Sequence, residues 1–157
     1  MINKQLSLVS ICIPTYNNAI GLSRLLNSIL EQDYKNIEVV ITDDSDNIEI
    51  IGQINFYTSK GLNIRYFKNQ EKLGSPENWN FAMNLANGDL IKIMHHDDWF
   101  IESKSLSVLV SAFDRNENLN FVFGNSNDIT VNNKRPILKL FIVYKATILI
   151  LNCTTGC

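Results

Sequence analysis

The chain has 157 residues, of which 45% are hydrophobic and 19% are charged, and its formal net charge is -2. This length and composition are typical of one soluble globular domain that buries a core of its own. A slightly acidic chain lacks the basic field that nucleic acids require, so we expect no nucleic-acid partner.

The charge is unevenly distributed along the chain. Residues 1–134 carry 11 basic and 16 acidic side chains, whereas residues 135–157 carry three basic side chains and no acid. Residues 141–151 form an apolar stretch, but it is shorter than the roughly 18 residues of a membrane span. We therefore predict a domain over residues 1–134 and an atypical apolar tail over residues 135–157, whose place in the fold the sequence does not reveal.

Cysteine usage and the amino terminus predict the compartment. The three cysteines are Cys12, Cys153 and Cys157, and an odd, scattered set argues against a disulfide framework. The first residues lack the ordered regions of a signal peptide. We predict a cytoplasmic protein whose apolar tail packs on the sheet, pairs with another chain, or associates peripherally with the inner face of the membrane.

The elements begin with a strand, a loop and a helix. Residues 8–13 are mostly apolar and predict a buried strand that stops at Pro14, where the ladder loses a donor. Asn17 or Asn18 is a candidate helix N-cap. The helix face that follows has apolar residues at i, i+3, i+4, i+7 and i+8, namely Leu22, Leu25, Leu26, Ile29 and Leu30.

The same unit then repeats along the chain. Strands are predicted over residues 37–42, 62–67, 90–94 and 119–123. Apolar spacing predicts a second helix that ends at Gly61, and a third that Ser75 caps with Pro76 at its first position. Trp79, Ala82, Met83 and Ala86 are expected on the inner face of that third helix, and a fourth helix is expected from Ser103.

Alternation of strands and helices predicts an α/β fold: a mostly parallel sheet with helices on both faces. Ligands of such sheets bind at the carboxyl ends of the strands. The residues expected at this carboxyl edge are Tyr16, Asp43, Asp44, residues 72–74 and residues 96–98.

Asp97 and Asp98 follow the fourth strand and are the first candidates for chemistry. Paired carboxylates suit Mg²⁺ or Mn²⁺, which are commonly shared between one or two carboxylates and the phosphates of a substrate. Such pairs are also common in solvated turns. The second pair, Asp43 and Asp44, and the aromatic residues that follow Asp98 favour a site.

The other candidates at this edge each have a structural and a functional interpretation. Neighbours on a strand point to opposite faces, so at most one of His95 and His96 is expected beside Asp97; we count His96 among the donor-binding residues. Asp43 and Asp44 form either an ordinary turn or an acceptor for a base or ribose. Tyr16 either covers the first helix or stacks on a ring.

Four ordered motifs resemble the family 2 glycosyltransferases of the GT-A fold. They are residues 9–17, residues 25–32, residues 38–45 and the His95-His96-Asp97-Asp98 motif, within a resemblance that covers about residues 7–125. The resemblance implies a Rossmann-like nucleotide-sugar-binding half. It also implies transfer of a sugar from a nucleoside diphosphate sugar to an acceptor hydroxyl, with inversion, in cell-surface polysaccharide or glycoconjugate synthesis.

Roles carry over from the family position by position. Pro14, Thr15 and Tyr16 match the nucleotide-contacting loop, and Asp44, with Asp43 beside it, matches the acceptor for the base. Asp97 and Asp98 match the acids that hold Mn²⁺ or Mg²⁺, whereas His95 replaces the first acid of the family's Asp-x-Asp motif. The implied acceptor is a carbohydrate or a lipid-linked molecule.

In the family, a further half of the protein after the metal motif supplies the acceptor site and the general base. The present sequence contains no segment that resembles this half. Asp128 is the only acid after the predicted fifth strand and lies in a polar loop, so the general base is not assigned. The sequence therefore favours a truncated or frame-shifted glycosyltransferase. The alternative is a non-catalytic nucleotide-binding module; a phospho-receiver-like domain fits less well, because its acid pair would follow the first strand.

Overall fold

The computed structural model describes residues 6–124, 128–130, 133–135 and 141–145; of the side chains after residue 124, only that of Val143 is described. The elements in chain order are β1 (Val9–Thr15), α1 (Ala19–Leu30), β2 (Ile37–Asp43), α2 (Glu49–Ser59), β3 (Ile64–Lys68), α3 (Glu77–Asn84), β4 (Leu90–Ile93), α4 (Ser105–Arg115), β5 (Phe121–Gly124), β6 (Asp128–Thr130), β7 (Asn133–Arg135) and β8 (Phe141–Lys145).

The main sheet has six strands in the order β3-β2-β1-β4-β8-β5. The first four are parallel, as their alternation with helices predicts, whereas β8 is antiparallel to both β4 and β5. β6 and β7 form a separate antiparallel pair. The carboxyl ends of β1, β2 and β4 therefore lie side by side at one edge of the sheet.

Part of the apolar tail has a definite place in this sheet. Phe141–Lys145 lies between β4 and β5, and Val143 is fully buried in the main core. The sequence showed the strand propensity of this segment without a partner for it. The domain boundary at residue 134 stays a prediction, and residues 136–140 and 146–157 lie outside the described residues.

Helices cover both faces of the sheet, which confirms the predicted architecture. The larger core holds α1, α2 and α4 against one face and includes Ile11, Leu25, Ile41, Ile50 and Leu106. The smaller core holds α3 against the other face and is built from Cys12, Val40, Ala82 and Ile91. No helix within the described ranges is long and apolar enough to cross a membrane.

The first strand continues one residue past the predicted stop at Pro14. Residue 12 bonds towards β4, since the Cys12 carbonyl accepts from Met94, so Pro14 has the same orientation. β4 has ended by that level, and no ladder bond is lost there. Thr15 faces β2 instead, and its carbonyl accepts from the backbone N–H of Asp44 at 3.0 Å.

A buried polar network fixes the opposite, amino edge of the sheet. The Glu38 carboxylate accepts from the Ser10 hydroxyl at 2.5 Å, from the Asn87 backbone at 2.6 Å and from Arg65 at 3.1 Å. Burial alone would raise the pKa of Glu38, but these hydrogen bonds outweigh it and lower the pKa. A Cβ at Gly88 would lie 2.7 Å from the Ser10 backbone nitrogen, so only glycine permits this close approach.

Candidate functional site

A cleft of about 310 Å³ opens at the carboxyl edge of the sheet. Its walls come from the loops after β1, β2, β3 and β4 and from the first turn of α3. The lining residues are Pro14, Thr15, Tyr16, Asp44, Lys72, Gly74, Ser75, Asn78, Trp79, His95 and His96. Five predicted donor-site residues are therefore brought together, namely Pro14, Thr15, Tyr16, Asp44 and His96.

Asp44 organises the loop that forms one wall of the cleft. Its Oδ1 accepts from Asn69 Nδ2 at 2.6 Å and from the Leu73 backbone at 3.1 Å, and its Oδ2 accepts from the Gly74 backbone at 2.8 Å. Each carboxylate oxygen accepts about two hydrogen bonds. Oδ2 therefore retains one acceptor position, which suits a single N–H or hydroxyl donor of a ligand.

Asp43 lies behind Asp44 and does not line the cleft. It is fully buried, and its carboxylate accepts from the Ser45 backbone at 2.7 Å, from the Tyr66 hydroxyl at 2.7 Å and from Lys68 at 3.3 Å. Burial would raise the pKa of Asp43, but the hydrogen bonds of Ser45 and Tyr66 and the charge of Lys68 lower it below its usual value. The structure therefore does not place Asp43 in contact with a ligand in the cleft, as the sequence predicted. Asp43 instead holds the backbone of Ser45, just after Asp44.

Two amide side chains, one half-buried and one buried, connect Asp44 to helix α3. Asn69 Nδ2 also donates to Asn78 Oδ1 at 2.9 Å, and the hydroxyl of Thr42 donates to the Asn78 carbonyl at 3.1 Å. Asn78 is only 4% exposed. The start of α3 is therefore fixed to the same carboxylate that holds the loop.

Tyr16 stands at the mouth of the cleft within an exposed polar cluster. Its hydroxyl donates to Asp46 at 3.0 Å, and Lys72 Nζ lies 2.8 Å from Asp46 and 4.7 Å from the centre of the Tyr16 ring. Hydrogen bonds from Lys72, Asn17 and Tyr16 lower the pKa of Asp46 to about 2. The ring is 45% exposed, so it is accessible for stacking.

Thr15 contributes a polar atom that the described residues leave without a partner. The residue is 1% exposed, and its Oγ1 is buried with no hydrogen bond to any part of the chain that the structure describes. An unpaired buried hydroxyl is costly. Because this atom is closed to solvent, a ligand in the cleft reaches it only if the strand end shifts.

Residues 95–98 form a tight turn, which we call the His95 turn. The backbone N–H of Asp98 donates to the His95 carbonyl at 3.0 Å, and Asp98 Oδ2 accepts from the His95 N–H at 3.3 Å. Both His95 and His96 line the cleft, whereas the alternation of a strand predicted that their side chains would point to opposite faces. The reason is that β4 ends at Ile93, so the alternation of a strand no longer applies.

The predicted metal ligands lie on this turn, outside the set of cleft-lining side chains. Asp97 is exposed, and Asp98 is half-buried with one oxygen turned to the His95 backbone. Within the described ranges, no group of three or more histidine, cysteine or acidic side chains is placed to hold an ion. The residues fit a hard cation that takes one or two protein carboxylates and completes its shell with phosphate oxygens.

The turn packs closely against the start of α1. Asn18 caps this helix as predicted, since its Oδ1 accepts from the Gly21 backbone at 2.9 Å. A Cβ at Gly21 would lie 2.7 Å from the carbonyl oxygen of His96. Glycine is therefore required for the turn to sit against α1.

The predicted cap of the third helix was wrong in detail. The helix begins at Glu77, Pro76 occupies the N-cap position without a side-chain bond, and Ser75 lines the cleft instead. The backbone N–H of Asn78 donates to the Gly74 carbonyl at 2.8 Å, which satisfies one of the free groups at the helix start.

Trp79, Asn78 and Asn69 are site residues that the sequence interpretation missed. Trp79 was expected in the core with Ala82, but it lines the cleft. A signal was available: a helix that follows a parallel strand starts at the carboxyl edge, so the residues of its first turn lie beside the ligand site.

Comparison with known proteins agrees with this fold. The mannosyltransferase PcManGT of Pyrobaculum calidifontis, solved with GDP-Man and Mn²⁺, superposes with a TM-score of 0.76 at 20% identity, over 95% of this chain and 47% of that protein. TarS 1-349 of S. aureus, solved with UDP-GlcNAc, gives 0.72 at 24% identity, over 93% and 47%. These likenesses define the fold class as that of the GT-A glycosyltransferases.

Sequence similarity identifies the family. Residues 10–155 match the family described as Glycosyl transferase family 2, and the chain belongs to it. The Escherichia coli UDP-Glc:alpha-D-GlcNAc-diphosphoundecaprenol beta-1,3-glucosyltransferase WfgD is 32% identical over 154 residues, covering 96% of this chain and 58% of that protein. The chain spans 30% to 58% of the length of the first curated relatives it matches.

Proposed function

We propose that this chain binds a nucleoside diphosphate sugar as the donor half of a glycosyltransferase, which transfers the sugar to an acceptor hydroxyl with inversion. The observation that carries the proposal is the cleft itself. The cleft is lined by Asp44, whose fixed carboxylate can accept a hydrogen bond from a ligand, and by the His95 turn, on which the carboxylate of Asp97 is exposed. A nucleoside diphosphate has matching chemistry, with hydrogen-bond donors on its base and negative charge on its phosphates.

We infer the contacts of the base end of the donor from the residues that line the cleft. The open position on Asp44 Oδ2 accepts one hydrogen bond from the base, and the exposed ring of Tyr16 stacks on the nucleoside. The family resemblance implies nucleotide contacts for Pro14, Thr15 and Tyr16, and all three residues line the cleft.

Asp97 and Asp98 would hold Mn²⁺ or Mg²⁺ at the other end. When bound there, the cation neutralises the negative charge of the diphosphate leaving group. The chain's own part is to keep the His95 turn closed and to leave the Asp97 carboxylate exposed towards the phosphates. Donors in complexes of structurally similar proteins, GDP-Man with Mn²⁺ and UDP-GlcNAc, support this choice of ligand class.

The acceptor and the cellular setting are inferred from relatives. The name of the Escherichia coli relative specifies a diphosphoundecaprenol-linked acceptor. We infer a carbohydrate or lipid-linked acceptor, and a role in cell-surface polysaccharide or glycoconjugate synthesis. A cytoplasmic location at the inner face of the membrane is the matching prediction.

A non-catalytic nucleotide-binding module is the second candidate, and a specific observation favours it. Among the described residues that line the cleft, Asp44 is the only one with a carboxylate, and this carboxylate already accepts three hydrogen bonds. It is therefore badly placed to act as the general base on an acceptor hydroxyl. Turnover requires that base, whereas nucleotide binding does not.

Calorimetric titration with UDP, GDP and their sugars, in Mn²⁺ and in EDTA, tests the donor site. We expect binding that Mn²⁺ strengthens, and a D97A chain that binds in Mn²⁺ only as well as the wild type does in EDTA. A donor-hydrolysis and sugar-transfer assay on the same samples separates the two candidates. Cation-dependent binding with turnover supports the transferase, binding without turnover supports the module, and absence of binding contradicts both.

A further inference from the structure

A second cleft, of about 240 Å³, lies on the flank of the sheet that α4 covers. We call it the α4 groove. Its walls are the segment that follows the His95 turn, the first half of α4 and the end of β5. Most of its lining is apolar, namely Trp99, Phe100, Ile101, Val108, Leu109 and Gly124, and Glu102, Lys104 and Ser105 complete it.

The walls of the α4 groove leave apolar surface in contact with solvent. Ile101 and Val108 are 56% and 60% exposed. The next two residues of α4, Leu109 and Val110, are buried as a core-facing pair should be. Exposed apolar side chains that surround a concavity are typical of a binding site, because a ligand that fills the concavity removes both walls from water. The lining therefore fits a ligand with an apolar part.

A cation packs where the His95 turn joins the α4 groove. Trp99 directly follows Asp98, and the guanidinium of Arg24 lies 4.7 Å from the centre of the Trp99 ring. Arg24 is exposed. At the groove itself, the positive charge of Lys104 is opposed by the negative charge of Glu102. The cation available to an anionic group at the entrance to the groove is therefore Arg24.

The order of these features matches one class of acceptor. Under the proposed function, the reacting hydroxyl lies beside the donor sugar, near Asp97. Trp99 with its Arg24 partner is two residues further along the chain and Ile101 is four, and four extended residues span at most about 14 Å. A sugar joined to an apolar chain by phosphate groups presents hydroxyls, negative charge and hydrocarbon in the same order. A free carbohydrate presents only the first of these three parts.

We propose that the α4 groove binds the apolar chain of a lipid-linked acceptor, and that Arg24 binds the phosphate groups of that acceptor. This inference rests on the proposed function and selects the lipid-linked acceptor over a free carbohydrate. The planar guanidinium of Arg24 suits phosphate because it donates several hydrogen bonds in a fixed geometry. Ile101 and Val108 bury their exposed surface against the hydrocarbon, which is the main favourable contribution.

Farnesyl diphosphate is a water-soluble probe that has both an apolar chain and a phosphate head. The W79F chain keeps Trp99 as its only tryptophan, so the emission of Trp99 reports occupation of the groove. The titrations are carried out in EDTA, which prevents the diphosphate from binding through a cation at Asp97. We expect saturable binding with a blue shift of the emission, at least about fivefold tighter than the binding of pyrophosphate or of farnesol.

Variants then assign the two parts of the site, with calorimetry as the readout. I101S and V108S should each weaken farnesyl diphosphate about tenfold, because less apolar surface is buried. I48S is the matched control, since Ile48 is 78% exposed but stands at the start of α2. R24M should weaken farnesyl diphosphate about fivefold and leave farnesol unchanged. K60M, which loses a similar cation contact with a ring on α2, should change neither. All five positions are exposed, and urea unfolding checks that each chain is folded.

Three results would overturn the inference. Farnesyl diphosphate that binds no more tightly than pyrophosphate would leave the apolar chain without a site. Equal losses in I101S, V108S and I48S would mean that the groove is not that site. Binding that requires Mn²⁺ or that UDP displaces would place the probe in the donor cleft.

The same samples distinguish this inference from the proposed function. A wild-type chain that binds UDP in Mn²⁺ but shows no binding of farnesyl diphosphate contradicts the inference alone. A chain that binds farnesyl diphosphate in the groove but binds neither UDP nor GDP contradicts the proposed function, and supports the lipid site without it.

Discussion

At one end of the cleft, Asp44 is 7% exposed and its carboxylate accepts three hydrogen bonds from the chain. At the other end lies the His95 turn, on which Asp97 is exposed outside the cleft lining. The first end follows a seven-residue buried strand, β2, and is tied to α3 through two amides. The second follows a four-residue strand, β4, and is held by a hydrogen bond between Asp98 and the His95 backbone, by the ring contact with Trp79 and by the close approach of Gly21.

This contrast indicates how the two ends work. At the Asp44 end, the chain itself supplies the hydrogen bonds that fix the carboxylate. This end would therefore select a ligand by its shape and by the one acceptor position that remains on Oδ2. In the proposed site, the Asp97 end has too few protein ligands for a cation and would be completed by the phosphates of the donor. Mutations should therefore affect stability and binding together at the first end, and binding alone at the second.

The largest effect is expected for Asp44→Ala. Three donors lose their acceptor, so the free energy of unfolding should fall by about 1–3 kcal/mol, and nucleotide affinity should fall at least about tenfold. Urea unfolding and calorimetry measure the two quantities. D97A is the matched control at the other end, with stability within about 0.5 kcal/mol of wild type and a loss of the Mn²⁺ effect. Equal stability losses in the two variants would contradict the contrast.

Gly21→Ala should displace the His95 turn, which packs against the start of α1. The added Cβ would meet the His96 carbonyl at 2.7 Å and Asn18 Nδ2 at 2.5 Å, so the turn must shift, at a cost of about 1–3 kcal/mol. The Mn²⁺-dependent part of the affinity should fall. Gly52→Ala is the control, because Gly52 lies in α2 with nothing within 4 Å of an added Cβ, and alanine favours the helix there. A Mn²⁺ effect unchanged in G21A would show that the turn tolerates the shift.

Low pH should lower the stability of the fold around Asp44, because the neighbouring Asp43 becomes protonated. The pKa of Asp43 in the folded chain lies below its usual value of 3.8, so ionised Asp43 stabilises the fold above that pH. This contribution is lost as the pH falls through the lower, folded value. Asp43→Asn should cost about 1–3 kcal/mol at pH 7, and the gap from wild type should narrow below about pH 4. Urea unfolding from pH 7 to pH 3 tests this; a constant gap would exclude the linkage.

The smallest effect is expected at the mouth of the cleft. Lys72 and Asp46 are 53% and 57% exposed, and such exposed pairs add little to stability. Lys72→Met should leave the urea midpoint unchanged and weaken nucleotide binding by less than about threefold, and only at low salt. Lys60→Met, which loses a similar cation contact with Phe56 on α2, should leave binding unchanged. A large salt-independent loss in K72M would mean that Lys72 contacts the ligand directly.

Most of the fold follows from local patterns in the sequence. The periodicity of α1 and α4 and the apolar runs of β1, β2 and β4 predict a parallel sheet with helices on both faces, and the structure confirms it. The position of β8 was not predictable in the same way. Phe141–Lys145 is apolar and β-prone, but its partners are about 50 and 20 residues earlier, and no turn signal records that pairing.

The candidate site was predictable where a loop directly follows a strand. Tyr16, Asp44 and His96 lie in the cleft because strand ends fix where the next residues go. Trp79 was missed because a tryptophan at helical spacing is typical of a core, and only the place of α3 in the fold turns it towards the ligand. Asp43 was grouped with Asp44, but neighbours at the end of β2 point in opposite directions, into the core and into the cleft.

The insertion of β8 into the sheet also determines when the protein can finish folding. β4 carries the His95 turn and pairs with β1 on one side, but its other neighbour is translated some 50 residues later. Until Phe141–Lys145 has left the ribosome, β4 and β5 each expose an unpaired strand edge, a common starting point for aggregation. A shortened chain that ends before residue 141 should therefore accumulate as insoluble protein, and it would be a poor vehicle for isolating the donor site.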